Sequence, residues 1–130
     1  MTPFFNSREL YLIYNPDAEL DRKVHALAYS VNSVVHEIDV MRKTITPLHW
    51  KEILNLLHVG PSSLINNGHP DYNRLIAGKD FSEDDYLEVL FQNPQLVKGP
   101  IGVLHDRAVL CDDPNDILRL DDTPDAEQQL

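Results

Sequence analysis

The chain has 130 residues, a length typical of one domain, and its 42% hydrophobic and 25% charged residues are those of an ordinary globular protein. Its net charge of -10 repels phosphate backbones, which argues against direct binding of nucleic acid. No apolar run reaches the roughly 18 residues that a membrane span needs, and the N-terminus has no signal-peptide pattern. Because the single cysteine, Cys111, cannot form an internal disulfide, we expect a cytoplasmic protein.

The acidic charge is concentrated at the end of the chain. Between Asp112 and Leu130 there are seven acidic residues and one basic residue, Arg119. Such a segment is typical of a solvated tail. We therefore expect one domain over residues 1–120 and an acidic, disordered tail over residues 121–130.

The first third of the chain predicts a strand, a helix and a second strand. The apolar run LYLIY at residues 10–14 is typical of a buried strand. Asp17 is predicted to cap a helix that ends near Asn32, because the apolar residues that follow share one helical face. These residues are Leu20, Val24, Leu27, Ala28 and Val31. Residues 34–38 (VVHEI) predict the second strand.

The middle of the chain predicts helices and a loop. Pro47 suits the first turn of a helix that Gly60-Pro61 is predicted to end. The apolar face of this helix consists of Trp50, Ile53, Leu54 and Leu57. The turn-forming stretch INNGHPDYN predicts a loop, with a short helix over residues 70–77. A clearer helix follows in FSEDDYLEVLFQNP, with Ser82 as its cap.

The last third predicts a hairpin and a closing helix. Residues 101–104 and 107–111 read as two strands around a turn at His105-Asp106. The closing helix is predicted from Asp113, its cap, to Leu120. The order β-α-β, helical insertion, β-β-α predicts a mixed four-stranded sheet flanked by helices, an α/β fold of the thioredoxin-like type.

Several segments resemble one known family. They are YNP at residues 14–16, Arg22 one turn into the helix, the run F-x-x-D-x-Y from Phe81, NPQLVKGPIGV at 93–103 and AVLCDDPNDIL at 108–118. In this order they resemble the glutaredoxin-coupled arsenate reductases (ArsC) and the related Spx regulators, which insert helices into a thioredoxin-like frame. The resemblance covers roughly residues 10–120 and implies an ArsC/Spx-like fold for that domain.

The resemblance also implies a degenerate site with no catalytic residue. The family's cysteine, whose thiolate a helix N-terminus stabilises, falls on Ala18, and the arginine that clamps an oxyanion falls on Gly99. A second arginine falls near Asn66 or Asn67. The degenerate site therefore consists of Asn15, Pro16, Asp17, Ala18, Arg22 and Gly99. Three carboxylates in the first helical turn, those of Asp17, Glu19 and Asp21, would repel an oxyanion there.

The cysteine and the histidines are the remaining candidates for redox or metal chemistry. Cys111 is interpreted as a small buried residue at the end of a strand, where the neighbouring acids raise its pKa; the alternative is a displaced redox nucleophile. No histidine or cysteine spacing is typical of a metal site, so no metal is predicted. No cofactor is predicted either, although glutathione could bind at the frame.

A retained frame without its catalytic side chains predicts binding. The resemblance implies that Gly99-Pro100 is cis and exposes backbone to an extended peptide or to glutathione, with Lys98, Asn66 and Asn67 completing the site. The leading hypothesis is a catalytically inactive ArsC/Spx-like protein that binds a protein or peptide partner. Two alternatives stay open: a thiol-dependent oxidoreductase of the arsenate reductase family that uses Cys111 or bound glutathione, and a scaffold whose function lies in the acidic tail.

Overall fold

The centre of the protein is a mixed four-stranded sheet, seen in a computed structural model that describes residues 8–121. Its strands are β1 (Leu10–Tyr14), β2 (Val35–Asp39), β3 (Ile101–Leu104) and β4 (Arg107–Leu110), in the order β2-β1-β3-β4. β1 is parallel to β2 and antiparallel to β3, and β4 is antiparallel to β3. The predicted sheet is confirmed. The predicted tail lies outside the described residues from position 122 onward.

Helices cover both faces of this sheet. The α-helices are α1 (Glu19–Val31), α2 (Pro47–Leu57), α3 (Pro70–Leu75) and α4 (Glu83–Gln92). Short 3-10 helices cover Pro61–Leu64, Pro94–Leu96 and Pro114–Leu120. Within residues 8–121, no helix is both long and apolar enough to cross a membrane.

Several predicted boundaries are wrong, each for a local reason. The N-cap of α1 is Ala18, which makes no side-chain cap, because Asn15 and not Asp17 orders the turn before the helix. α2 ends at Leu57, since His58 adopts the left-handed conformation with φ at 61°, before Gly60 is reached. The closing helix is a 3-10 helix, although its predicted cap at Asp113 is confirmed. β2 begins and ends one residue later than predicted.

Two apolar layers sandwich the sheet. Alternate residues of β1 point to opposite faces, as the strand period requires. Ile13 packs with Trp50 and Leu90 of α2 and α4, whereas Leu12 packs on the other face with Val24 of α1. β1 is therefore buried on both sides, which explains its uninterrupted apolar sequence.

The closing 3-10 helix packs directly on β3. A Cβ atom at Gly102 would overlap the side chains of Ile117 and Leu120. A larger residue at this position would force these two side chains to shift. The contact holds the last segment against the same face as α1, and so fixes the position of Cys111 just before it.

Candidate functional site

The strand register brings the predicted site residues to one end of the strands. Ile13 of β1 is paired with Ile38 of β2 and Ile101 of β3, and Ile101 is paired with Leu110 of β4. Three segments therefore lie at the same end of the strands: the turn that follows β1, the Gly99-Pro100 segment before β3 and Cys111 after β4. These segments are far apart in the sequence, and the topology of the sheet brings them together.

The turn between β1 and α1 satisfies its own polar groups. The side-chain oxygen of Asn15 accepts the N–H of Asp17 at 2.9 Å, and its carbonyl accepts the N–H of Ala18 at 3.0 Å. The N–H of Arg22 then donates to the carbonyl of Ala18 at 3.0 Å, which begins the helix. Alanine at this point presents no nucleophile to the helix N-terminus.

Asp21 closes the turn from beneath. It is 6% exposed, and its Oδ2 accepts the backbone N–H of Asn15 at 2.8 Å. Burial raises the pKa of this carboxyl, although the backbone N–H donors of Asn15 and of Asp21 itself oppose the shift. The sequence indicates that Asp21 is one of three acids in the first helical turn. Asp21 lies three residues before the buried Val24 and therefore on the same face of the helix. This spacing is the signal in the sequence that indicates its burial.

The Arg22 side chain is hydrogen-bonded to the turn between β1 and α1. Its Nη1 donates to the carbonyl of Pro16 at 3.1 Å. The guanidinium group thus braces the loop that begins with Asn15.

Cys111, the residue that follows β4, packs against the Gly99-Pro100 segment. An ideal Cβ at position 99 would lie 2.8 Å from the carbonyl oxygen of Cys111, which is closer than real contacts allow. The carbonyl of Pro100 accepts the N–H of Cys111 at 2.9 Å, and both Gly99 and Pro100 are buried. An arginine could not replace Gly99 without displacing backbone.

The expected cis bond at Gly99-Pro100 is absent. No peptide bond in the described part of the chain is cis, this one included. Trans is the lower-energy isomer for an X–Pro bond, and here the adjoining Pro100 carbonyl is already used within the sheet. The expectation of exposed backbone at this place is therefore wrong.

The other predicted binding residues lie beside this segment. Ile65 and Val97 form an isolated antiparallel bridge, the N–H of Lys98 donates to the carbonyl of Leu64 at 2.7 Å, and the N–H of Asn66 donates to the carbonyl of Leu96 at 2.8 Å. The bridge places the Asn66-Asn67 loop next to Lys98. The side-chain oxygen of Asn66 accepts the N–H of Gly68 at 2.9 Å and so serves the loop itself.

Cys111 is buried beneath the turn. It is 1% exposed, and burial together with the charge of Asp116 raises the pKa of its thiol to about 12. The charge of Asp21 adds to the shift, while Arg119 opposes it. Such a thiol is protonated at neutral pH and holds the place of a small apolar residue. Within residues 8–121, no cluster of three or more His, Cys, Asp or Glu side chains is placed to hold a metal ion.

Comparison with solved structures defines the class of fold. A candidate arsenate reductase from Yersinia pestis superimposes with a TM-score of 0.79 at 20% identity over 85% of this chain and 98% of its own. An arsenate reductase from Vibrio cholerae gives 0.79 at 19% identity over 88% and 99% of the two chains. A candidate ArsC family related protein from Bacteroides fragilis gives 0.72 at 16% identity over 86% and 98%. The fold is thus the thioredoxin-like fold with a helical insertion.

The sequence identifies the family. The model of the ArsC family matches residues 15–120, most of the described chain. The protein belongs to the ArsC family, as the resemblance indicated. Among curated proteins, none matches the sequence.

Proposed function

We propose that this member of the ArsC family binds an extended segment of a partner protein and carries out no thiolate chemistry. The observation that carries the proposal is the closed turn at α1. Ala18 stands where the resemblance places the nucleophile, and the buried carboxylate of Asp21 accepts the N–H of Asn15. An incoming oxyanion would meet the chain's own acids at the end of the helix where the dipole favours anions.

The remaining thiol supports the same proposal. Cys111 is buried, and a thiol with a pKa of about 12 supplies almost no thiolate at neutral pH. Because nucleophilic attack by sulfur requires the thiolate, an oxidoreductase that uses Cys111 is disfavoured. A cytoplasmic location, where such a thiol stays reduced, remains part of the proposal.

The free edge of β4 supplies a surface for an extended partner. β4 is the last strand of the sheet, and no other strand within residues 8–121 pairs with its outer side. Since the N–H of Cys111 donates to Pro100 and Val109 is paired with Gly102, the alternation of an antiparallel ladder turns the N–H and C=O groups of Ala108 outward. Edge groups of this kind bind extended peptides by strand addition.

The groove along this edge favours a partner with carboxylate side chains. The groove has a volume of about 240 Å³ and contains Arg107 and Arg119 but only one acid, Asp106. Leu56 and Leu120 give it an apolar part. In a chain with a net charge of -10, two arginines beside the strand edge favour an acidic segment, although Arg119 is also paired with Asp116 just outside the groove.

The first test concerns catalysis. Arsenate reduction coupled to glutathione and glutaredoxin is measured for the wild type, for Cys111→Ser and for Ala18→Cys. We expect no turnover in any of them, because Ala18→Cys restores a thiol without the oxyanion clamp. Turnover that Cys111→Ser abolishes would establish the oxidoreductase alternative, and turnover that survives this change would point to bound glutathione. Either result would overturn the proposal.

The second test concerns the β4 edge. A displayed library of random heptapeptides is selected on the purified protein, and enriched peptides are measured by fluorescence anisotropy. Ala108→Pro removes the outward N–H donor while an edge strand tolerates proline, and Ala108→Ser keeps the donor as a matched control. We expect acidic peptides whose affinity falls about tenfold or more in Ala108→Pro only. An unenriched library, or equal affinity of all three proteins, would contradict binding at this edge.

A further inference from the structure

The groove along the β4 edge lies directly beside the last residue that the structure describes. Leu120 is part of its lining, and Asp121 follows. The guanidinium group of Arg107 donates to the carbonyl of Arg119 at 3.2 Å and to that of Leu120 at 3.0 Å. Because Arg107 is the first residue of β4, these bonds fix the point from which residues 122–130 continue next to the edge strand.

The groove passes over the edge of the sheet from one face to the other. Leu120 lines it on the face that α1 covers, and Leu56 lines it on the face that α2 covers. Ala108 of β4 lies between them, with its N–H and C=O groups turned outward. A segment that continues from Leu120 towards Leu56 therefore passes over the unpaired edge groups of Ala108.

Residues 122–130, called the acidic segment below, are long enough to cover this edge. Nine extended residues span up to about 30 Å, whereas the four residues of β4 span about 13 Å. Pro124 in the acidic segment has no N–H and interrupts a regular strand ladder. The composition therefore suits a loop that covers the edge, which is one way in which proteins protect edge strands.

The charges of the acidic segment and of the groove are opposite. The acidic segment has three acids and no basic residue; the acids are Asp122, Asp125 and Glu127. The groove is lined by Arg107 and Arg119 against one acid, Asp106. Arg119 also pairs with Asp116, and Arg107 keeps its charge while it donates to neutral carbonyls. Covalent attachment at Leu120 gives the acidic segment an effective concentration of the order of millimolar at the groove, so weak contacts are sufficient.

We propose that the acidic segment docks in this groove, with its carboxylates near Arg107 and Arg119, and covers the outward N–H and C=O groups of Ala108. The inference rests on the proposed function in one respect, because the docked segment is the competitor that an extended acidic partner displaces from the β4 edge. The affinity for a partner is then set by this competition.

The buried thiol of Cys111 makes selective labelling of the acidic segment feasible. Because the pKa of this thiol is about 12, a thiol-specific nitroxide attaches to the introduced cysteine in Gln128→Cys alone. A nitroxide held at the groove broadens nearby amide resonances of the ¹⁵N-labelled full-length protein. We expect strong broadening at Ala108 and Leu56, and we expect about 1 M salt to relieve it.

A matched pair of charge variants separates docking from covalent proximity. In the labelled protein, one variant neutralises the acidic segment by Asp122→Asn, Asp125→Asn and Glu127→Gln. The control removes three exposed acids at or just before the start of α4, away from the groove, by Asp80→Asn, Glu83→Gln and Asp84→Asn. We expect the broadening at Ala108 and Leu56 to fall in the neutralised segment only. Equal broadening in all three proteins, or none with the wild-type segment, would overturn the proposal.

Peptide affinity distinguishes a failure of this inference from a failure of the proposed function. The acidic peptides selected for the β4 edge should bind about tenfold more tightly when the acidic segment is neutralised, and the control at α4 should not show this gain. If the broadening shows docking but no peptide is enriched, the acidic segment covers the edge permanently and partner binding at β4 is wrong. If peptides bind all three proteins equally and Ala108→Pro weakens them, partner binding stands and the competing segment is wrong.

Discussion

The turn before α1 and the loop after β2 lie side by side at the same end of the sheet, and an aspartate orders each of them: buried Asp21 in the turn and half-buried Asp39 in the loop. In the turn, the N–H groups of Asn15, Asp17 and Ala18 all have acceptors from the turn itself or from Asp21. In the loop, the backbone N–H groups of Met41 and Lys43 have acceptors on Asp39, and the exposed ammonium group of Lys43 forms no ion pair within residues 8–121.

The turn shows how a helix N-terminus can lose its capacity to bind an anion while the surrounding elements are kept. The strand, the turn and the helix remain, but the acceptors that would belong to a ligand are supplied by the chain's own carboxylate and carbonyl oxygens. A helix N-terminus attracts an anion only while its donors are free and no acid stands beside it. In the loop after β2, by contrast, the ammonium group of Lys43 stays exposed to solvent.

The largest expected effect concerns the thiol beneath the closed turn. At neutral pH, iodoacetamide should alkylate Cys111 in the folded protein about 1,000-fold more slowly than an unperturbed thiol, because its pKa is about 12 instead of 9.0. Mass spectrometry of timed samples measures the rate. The same protein in urea is the control and should react at the ordinary rate. Rapid alkylation without urea would show that this side of the edge opens readily.

The next effect concerns the space that an arginine would need. Gly99→Arg should lower the free energy of unfolding by about 1–3 kcal/mol, because its Cβ would press on the carbonyl oxygen of Cys111. Urea denaturation measures the change. Lys98→Arg adds the same side chain at an exposed neighbour and should change stability by less than about 0.5 kcal/mol. A Gly99→Arg protein as stable as the wild type would mean that the clamp position is still open.

Asp21 is expected to matter through one hydrogen bond. Asp21→Ala leaves the N–H of Asn15 without its acceptor and should lower the free energy of unfolding by about 1–3 kcal/mol. Asp21→Asn keeps an oxygen acceptor and should lower it less. Denaturation in urea compares the two variants, and equal losses would indicate that packing and not the hydrogen bond holds the turn.

The same carboxyl predicts a pH dependence. Burial raises its folded-state pKa above the ordinary 3.8, so the folded state holds the proton more tightly than the unfolded state. Its contribution to stability is fully present below about pH 3.8 and is lost as the pH rises through the raised pKa. The stability of Asp21→Asn relative to the wild type should therefore increase from about pH 3.8 upward, measured by urea denaturation at a series of pH values. A difference that is flat or falls with pH would contradict the raised pKa.

The smallest expected effect concerns the brace at Arg22. Arg22→Gln removes an exposed hydrogen bond to the carbonyl of Pro16 and should cost below about 1 kcal/mol. Lys23→Gln removes a neighbouring charge whose ion-pair partner within residues 8–121 is Glu19, and serves as the control. Hydrogen exchange at the amide of Ala18 should quicken in Arg22→Gln and not in Lys23→Gln. Equal exchange in both would show that Arg22 does not hold the turn.

Local patterns in the sequence were enough to predict most of the elements. The apolar run at residues 10–14 predicted β1, the spacing from Leu20 to Val31 predicted α1, and the two runs around His105-Asp106 predicted the hairpin. The segments YNP and NPQLVKGPIGV predicted the family, which the ArsC model confirms. Each of these signals depends only on residues close together in the chain, where periodicity and turn chemistry act.

The helix ends and the state of the site could not be predicted in this way. Aspartate is a common N-cap residue, which made Asp17 the candidate. In the structure, the side-chain oxygen of Asn15 accepts the N–H of Asp17 and orders the turn. The Gly99-Pro100 segment has the composition of an exposed binding loop, but the carbonyl of Cys111 occupies the space beside it. The first outcome depends on two neighbouring residues that are equally suited to order the turn. The second depends on a residue in a different segment of the chain.

The sequence by itself determined the order of the elements, the family and the absence of a cysteine near the start of α1. Only the tertiary structure decided that Asp21 is buried and that Cys111 lies beneath the turn. Strand pairing joins residues about 90 positions apart, such as Ile13 and Ile101, into one edge. Burial and charge at that edge are properties of the assembled neighbours, and no single segment contains them.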